Sequence, residues 1–274
     1  MSAPLHPGHV SAFDAGFVGQ VLDDVLESGA RVYGITGPQG CGKSTLAAQL
    51  AGAAAGRGLR MAAVSIDDFY LDHDARQALA RDVHPMLATR GPPGTHDVML
   101  ACDTLNALRA GKQAPLPRFD KLTDRRLPPA QWTVLDGVDL VVFEGWFLAT
   151  PAQAGAELEE PINALEREED PDGRWRRWCN DALARDYPPL WQRIDRLLYL
   201  QPPGFEVVPS WRWDQEQALR EADPQRRGMD RAGVDRFVSH FERVSRQAMR
   251  TLPAIAGRVV ALDADRRPLS RRRS

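Results

Sequence analysis

Gly37-Pro38-Gln39-Gly40-Cys41-Gly42-Lys43-Ser44, with Thr45 next, decides how this chain is read. The stretch fits G-x-x-x-x-G-K-[ST] at every position, and its context is the one that pattern needs. Before it, Arg31-Val32-Tyr33-Gly34-Ile35-Thr36 is rich in β-branched and aromatic residues and predicts a buried strand. After it, Ser44 to Ala55 is rich in Ala and Leu and predicts a helix. Glycines let successive backbone N–H groups curl inward and approach phosphate oxygens closely. The helix start adds its partial positive charge. Gly37 to Thr45 therefore reads as a P-loop holding a nucleoside triphosphate. Lys43 would reach the β- and γ-phosphates, and the Ser44 hydroxyl would bind Mg2+.

Outward from the loop, strand and helix signals alternate. Ser11 is placed to cap a helix to Glu27, with Phe13, Phe17, Val21 and Val25 on one face. Arg60 to Ile66 predicts a second buried strand, and strand, helix, strand in that order implies a parallel sheet with a right-handed crossover. Asp139 to Glu144, Ile194 to Leu200 and Arg258 to Leu262 predict three more strands, which makes a three-layer α/β/α P-loop fold with five parallel strands. Asp97 is placed to cap a helix running to Gly111, while Arg90 to Asp97 and Pro115 to Pro129 read as irregular. Glu206 to Glu221 and Asp230 to Arg250 read as two long helices. One domain is expected over residues 1–265, with a polar insertion at 151–190, a helical lid at 204–228 and a basic, disordered tail at 266–274.

Composition narrows the class. A chain of 274 residues, 43% hydrophobic and 26% charged, can bury a substantial core. Its net charge of −2 gives no electrostatic case for nucleic acid or a membrane surface as partner. Cys41, Cys102 and Cys179 lack metal-ligand spacing and suit a reducing cytosol. Neither a signal peptide nor a bilayer-spanning run is visible, so a cytoplasmic protein is expected.

Phosphoryl transfer needs an acid near Mg2+, a group to receive the acceptor's proton, and positive charge for the transition state. Glu144 ends an apolar strand and would sit beside Ser44 if that strand neighbours the P-loop strand. Asp67 and Asp68 end the second strand at the same sheet edge, where ligands of open parallel sheets gather. Side chains alternate along a strand, so only one of the two should face the γ-phosphate; spacing does not choose between them. Arg90, His96 and Asp97 on one loop, and Arg118, Asp120 and Lys121 on another, favour an anionic acceptor. Arg212, between Trp211 and Trp213, is a candidate arginine finger in cis. Arg258 to Asp265 is expected near the nucleotide base.

With these residues in place the chain resembles the plant-type D-glycerate 3-kinase family, related to uridine kinase, pantothenate kinase and phosphoribulokinase. The resemblance runs from Tyr33 to Leu262. It rests on GPQGCGKST, SIDDFYL, RGPPGTHD, PRFDK with the following DR and W, FEGWFL, the Trp-Arg-Trp segment and GMD. It implies that Asp67 is the catalytic base, with Lys43 and Arg212 as catalytic partners and Glu144 on the Mg2+ side. It also implies that Asp68, Tyr70, Arg90, His96, Asp97, Arg118, Asp120 and Lys121 line the acceptor pocket. Leu122-Thr123-Asp124-Arg125 departs from the more Gly-rich run of plant-type members. The implied reaction moves the γ-phosphate of ATP to the 3-hydroxyl of D-glycerate. Kinases of a nucleoside, pantothenate or a sugar phosphate are the near alternative, and a P-loop ATPase or GTPase switch the distant one. Oligomeric state is not legible.

Overall fold

A computed structural model describes residues 12–223 and 228–269. Five parallel strands form the central sheet: β1 (Val32–Thr36), β2 (Met61–Ser65), β7 (Leu140–Gly145), β8 (Arg196–Gln201) and β9 (Arg258–Ala261), in the order β2-β7-β1-β8-β9. Short strands β3 (Ala114–Leu116) and β6 (Thr133–Leu135) pair antiparallel, as do β4 (Phe119–Asp120) and β5 (Arg125–Arg126). The helices are α1 (Ala15–Glu27), α2 (Lys43–Gly56), α3 (His73–Asp82), α4 (Val98–Arg109), α5 (Ala164–Glu169), α6 (Arg174–Arg185), α7 (Pro188–Trp191), α8 (Val208–Ala222), α9 (Arg231–Ser239) and α10 (Glu242–Ile255).

The alternation of side chains along each strand builds two apolar layers. Tyr33, Ile35, Leu140, Val142, Leu198 and Leu200 face α1 and α2, where Val21, Leu22, Leu46 and Leu50 are buried. Val32, Val141, Phe143, Leu197 and Tyr199 face the other way, against Leu105, Leu108, Leu190 and Leu252. Each such side chain contributes about 1.5–3 kcal/mol by leaving water. The carboxyl edge of the sheet is therefore a rigid platform.

Several sequence expectations change at their boundaries. The first helix is capped by Asp14, whose carboxylate accepts the Gly16 and Phe17 N–H groups; Ser11 lies outside the described residues. The single long helix expected over 230–250 is two, because the chain turns at His240 and Phe241. That turn buries Phe241 edge-on to Trp146 and against Gly91. Residues 266–269 are not a loose tail. Leu269 N–H donates to the Ala261 carbonyl, and Arg266 pairs with Asp214 and stacks on Trp211. Residues 270–274 lie outside the described part. The insertion forms α5, α6 and α7, locked by the buried pairs Arg176–Asp170 and Arg243–Glu166. No helix among the described residues is long and apolar enough to cross a membrane.

Candidate active site

The loop after β1 turns at Gly37 (φ 155°), Gly40 (φ 76°) and Gly42 (φ 98°), values that disfavour side chains. Space excludes them as well: a Cβ at Gly37 would lie 2.7 Å from the Leu200 carbonyl, and one at Gly40 2.8 Å from the Trp211 backbone. Gly42 starts α2 with no side-chain cap, so the first N–H groups of the helix are left for a ligand. Lys43 is buried and its Nζ donates to the Pro38 carbonyl at 2.9 Å. The Gln39 amide has both polar atoms buried without a partner, and so has the Thr36 hydroxyl. Buried polar groups normally have partners. Uncapped helix, inward loop and orphaned polar atoms together fit a bound triphosphate. Pro38 and Thr45 complete the loop and the first turn of α2. The Cys41 thiol is fully buried, 3.9 Å from Lys43 Nζ, and burial pushes its pKa up.

β7 lies directly beside β1, pairing Ile35 with Glu144. This register brings Glu144 Oε1 within 2.8 Å of the Ser44 hydroxyl, although 100 residues separate them. A hydroxyl and a carboxylate side by side fit Mg2+, which keeps several waters and takes few protein ligands. No cluster of three or more His, Cys, Asp or Glu suited to a metal occurs among the described residues.

Asp67 and Asp68 are not at the end of β2 but on the 3-10 turn Ile66–Phe69 that follows it. The turn separates them by about a third of a circle, so the two side chains diverge through rotation about the turn and not through strand alternation. Asp67 Oδ2 is 2.6 Å from Lys121 Nζ, and the Tyr70 hydroxyl adds to the stabilisation of its charged form. Burial raises its pKa, but Lys121 and Tyr70 outweigh that and hold it at about 2. Asp68 turns toward β4, 4.0 Å from Arg118 and accepting the Phe119 N–H. Burial dominates there and lifts Asp68 to about 6. The two acids thus have opposite environments, with Asp67 ionised beside Tyr70 and Lys121. Tyr70 itself is pushed up by burial and by Asp67 and stays a neutral donor.

The two expected loops meet. Tyr70 and His96 form an antiparallel bridge, and Asp97 N–H donates to the Phe69 carbonyl. Arg90 binds Asp124 at 2.5 Å and lies over the Phe119 ring. The residues 118–126 form a hairpin instead of an irregular stretch, with Asp124 in a left-handed conformation (φ 56°) at its turn. Asp120 uses its carboxylate on that turn, accepting Leu122 N–H and Thr123 Oγ1–H. Asp97 caps α4 through Leu100 N–H and pairs with Arg126. Both acids are occupied in shaping the loops. His96 is buried, and burial lowers its pKa to about 4, so it is neutral.

Four residues outside the sequence expectations support this wall. Arg76, 1% exposed, joins Asp124 to the Leu71 and Ala88 carbonyls. Asp124 in turn gathers Arg76, Arg90 and His73. Arg126 ties Asp97 to the Tyr70 carbonyl, and Tyr187 touches His96. The charged run Asp124-Arg125-Arg126 after PRFDK is a signal for two of them; Arg76 and Tyr187 carry none.

Helix α8 packs its first turn on the P-loop through the Trp211 backbone at Gly40, and Arg212 follows on the same turn. Arg212 is not sandwiched between tryptophans, because successive helical residues point about 100° apart. Trp211 stacks with Arg266, and Trp213 with Arg220 and Arg231. Arg212 lies over Phe237 and pairs with the buried Glu216 at 2.8 Å. The Ala264 carbonyl accepts Trp211 Nε1–H, so the expected base-side segment is in contact with α8.

A P-loop at the carboxyl edge of a β2-β7-β1-β8-β9 sheet, with a serine–glutamate pair and a separate half-buried acid, defines a P-loop kinase. The chain belongs to the phosphoribulokinase/uridine kinase family, which residues 32–153 match. It is 33% identical over 226 residues to the uncharacterized kinase mug58 of Schizosaccharomyces pombe, covering 77% of this chain and 78% of that one. It is 29% identical over 255 residues to the chloroplastic D-glycerate 3-kinase of Arabidopsis thaliana, covering 85% of this chain. It spans 52%, about half, of that relative's length. Among solved structures, D-glycerate 3-kinase from Cryptococcus neoformans var. grubii superposes with a TM-score of 0.73 at 26% identity, over 93% of this chain and 96% of that one.

Proposed function

We propose that this protein is an ATP-dependent kinase that phosphorylates the 3-hydroxyl of D-glycerate. The observation that carries the reading is the pair of Asp67 with Lys121 at 2.6 Å, at the sheet edge that also holds the P-loop and the Ser44–Glu144 pair. The D-glycerate 3-kinases among its relatives support the choice of acceptor.

In this reading the P-loop N–H groups and Lys43 hold the β- and γ-phosphates, Lys43 giving up the Pro38 carbonyl to do so. Ser44 and Glu144 would hold Mg2+, which supplies charge neutralisation between the phosphates. Asp67 accepts the hydrogen bond of the attacking hydroxyl, orients it in line and receives its proton. A carboxylate with a low pKa suffices, because phosphoryl transfer proceeds through a loose transition state and asks more for positioning than for basicity. Lys121, Arg90 and Arg118 supply positive charge for the carboxylate of the acceptor; Arg suits bidentate carboxylate recognition. Arg212 leaves Glu216 to meet charge developing on the transferred group. Packing of α8 over the loop keeps water from competing.

The test is a panel of acceptors offered with ATP: D-glycerate, L-glycerate, a nucleoside, pantothenate and a sugar phosphate. D-Glycerate is expected to give the largest kcat/KM. A nucleoside or pantothenate leading the panel would replace the acceptor assignment, and rapid hydrolysis independent of every acceptor would replace the kinase reading.

A further inference from the structure

His96, Tyr187 and Gly94 form a chain that the steps above leave unused. Gly94 N–H donates to the Tyr187 hydroxyl at 2.9 Å, and that oxygen is 2.7 Å from His96 Nδ1. A tyrosine hydroxyl carries one proton. Among the described residues His96 Nδ1 is the acceptor within its reach, so Tyr187 donates to Nδ1. Nδ1 is then bare, and the proton of the neutral ring sits on Nε2. His96 Nε2 is buried and has no hydrogen-bond partner in the protein. A buried donor without a partner is costly. The ring lies against Tyr70 at 4.9 Å and Phe147 at 5.6 Å, and Asp67 is the carboxylate it senses. The Nε2 edge faces away from Tyr187. Tyr187 itself comes from the end of the insertion, whose Trp178 packs so tightly on Gly94 that a side chain there would clash.

We propose that Tyr187 fixes His96 as the Nε2–H tautomer, and that this N–H donates a hydrogen bond to a second oxygen of the acceptor beside the hydroxyl held by Asp67. The proposal rests on the acceptor site of the preceding section and narrows its substrate class. The acceptor must carry an oxygen next to the reacting carbon; a simple alcohol would leave Nε2–H unpaired and be rejected, as sites built for a substrate oxygen reject analogues without it. Tyr187 acts as a positioning residue, and the insertion becomes part of the acceptor wall.

Long-range proton–nitrogen spectra of the full chain with 15N-labelled histidine test the tautomer without any turnover. The expected spectrum shows His96 protonated at Nε2 and bare at Nδ1, with Nε2 moving on addition of D-glycerate. Tyr187→Phe should admit the second tautomer and raise the acceptor KM roughly 5- to 30-fold, the factor of one lost hydrogen bond, with kcat and the ATP KM little changed. His96→Gln, which keeps an amide donor, should retain a lower acceptor KM than His96→Ala; this comparison does not depend on Tyr187→Phe folding. Protonated Nδ1 in the wild-type protein overturns the relay. Protonated Nε2 with an unchanged acceptor KM in folded His96→Ala overturns the assignment of the donor to the acceptor. A protein that phosphorylates none of the panel counts against the kinase reading, and the wild-type spectrum decides the tautomer regardless.

Discussion

Lys121→Met removes the cation that keeps Asp67 ionised. Asp67 falls from the ordinary 3.8 to about 2 although burial alone would raise it. At 1.36 kcal/mol per pKa unit, that fall corresponds to at most about 2.4 kcal/mol. Lys121 is 54% exposed and Asp67 29%, so solvent screening reduces the expected value to about 1 kcal/mol. The sign follows from the depressed value: the stabilisation is complete above the unfolded pKa near 3.8 and fades as pH falls toward 2. Lys121→Met should therefore be less stable than wild type by about 1 kcal/mol near pH 7, with the gap closing at about pH 2–3. Urea unfolding at the two pH values measures this. With burial unopposed, the acid limb of the acceptor-dependent rate should also move up by about one pH unit. An unmoved acid limb, or a stability gap equal at both pH values, would refute the coupling of Lys121 to Asp67.

Three further outcomes follow from the same geometry. Asp67→Asn should lower the kinase rate by ~10²–10⁴-fold, the usual contribution of a general base, while ATP binding measured by equilibrium dialysis stays near wild type. Asp68, raised to about 6, favours the folded state most below the unfolded value and loses that contribution as pH rises through 6. Asp68→Asn should thus match wild type in unfolding experiments near pH 4 and be about 1–2 kcal/mol more stable near pH 8. Asp170→Asn leaves Arg176, 1% exposed, without its carboxylate at 2.9 Å, and should cost about 3–5 kcal/mol in urea unfolding.

The P-loop and the five strands were legible because each is a local pattern: a glycine spacing, or a run of apolar residues of strand length. The element boundaries moved by a few residues, as at Asp14, where the cap is a short-range choice among neighbouring polar residues. The neighbourhood of Glu144 and Ser44 was inferred from strand order, and the β1–β7 register supplies the contact itself. What stayed hidden depends on segments far apart meeting. Arg76 and Asp124 are 48 residues apart and His96 and Tyr187 are 91 apart, so no spacing rule joins them. The turn at His240 was invisible for a related reason. Helical periodicity continues through it, and only burial of Phe241 against Trp146 and Gly91 makes the chain bend. Asp97 was legible both as a charged loop residue and as the cap of the helix that follows, whereas the work of Asp120 in closing a turn is a matter of geometry.

The proposed reaction is phosphoryl transfer to one hydroxyl of one small acid. Phosphorus NMR of the protein with ATP, Mg2+ and D-glycerate follows donor and product together. ADP and 3-phosphoglycerate are expected to appear in equal amounts. ADP with inorganic phosphate in place of a phosphorylated acceptor, or 2-phosphoglycerate as the product, would contradict that reaction.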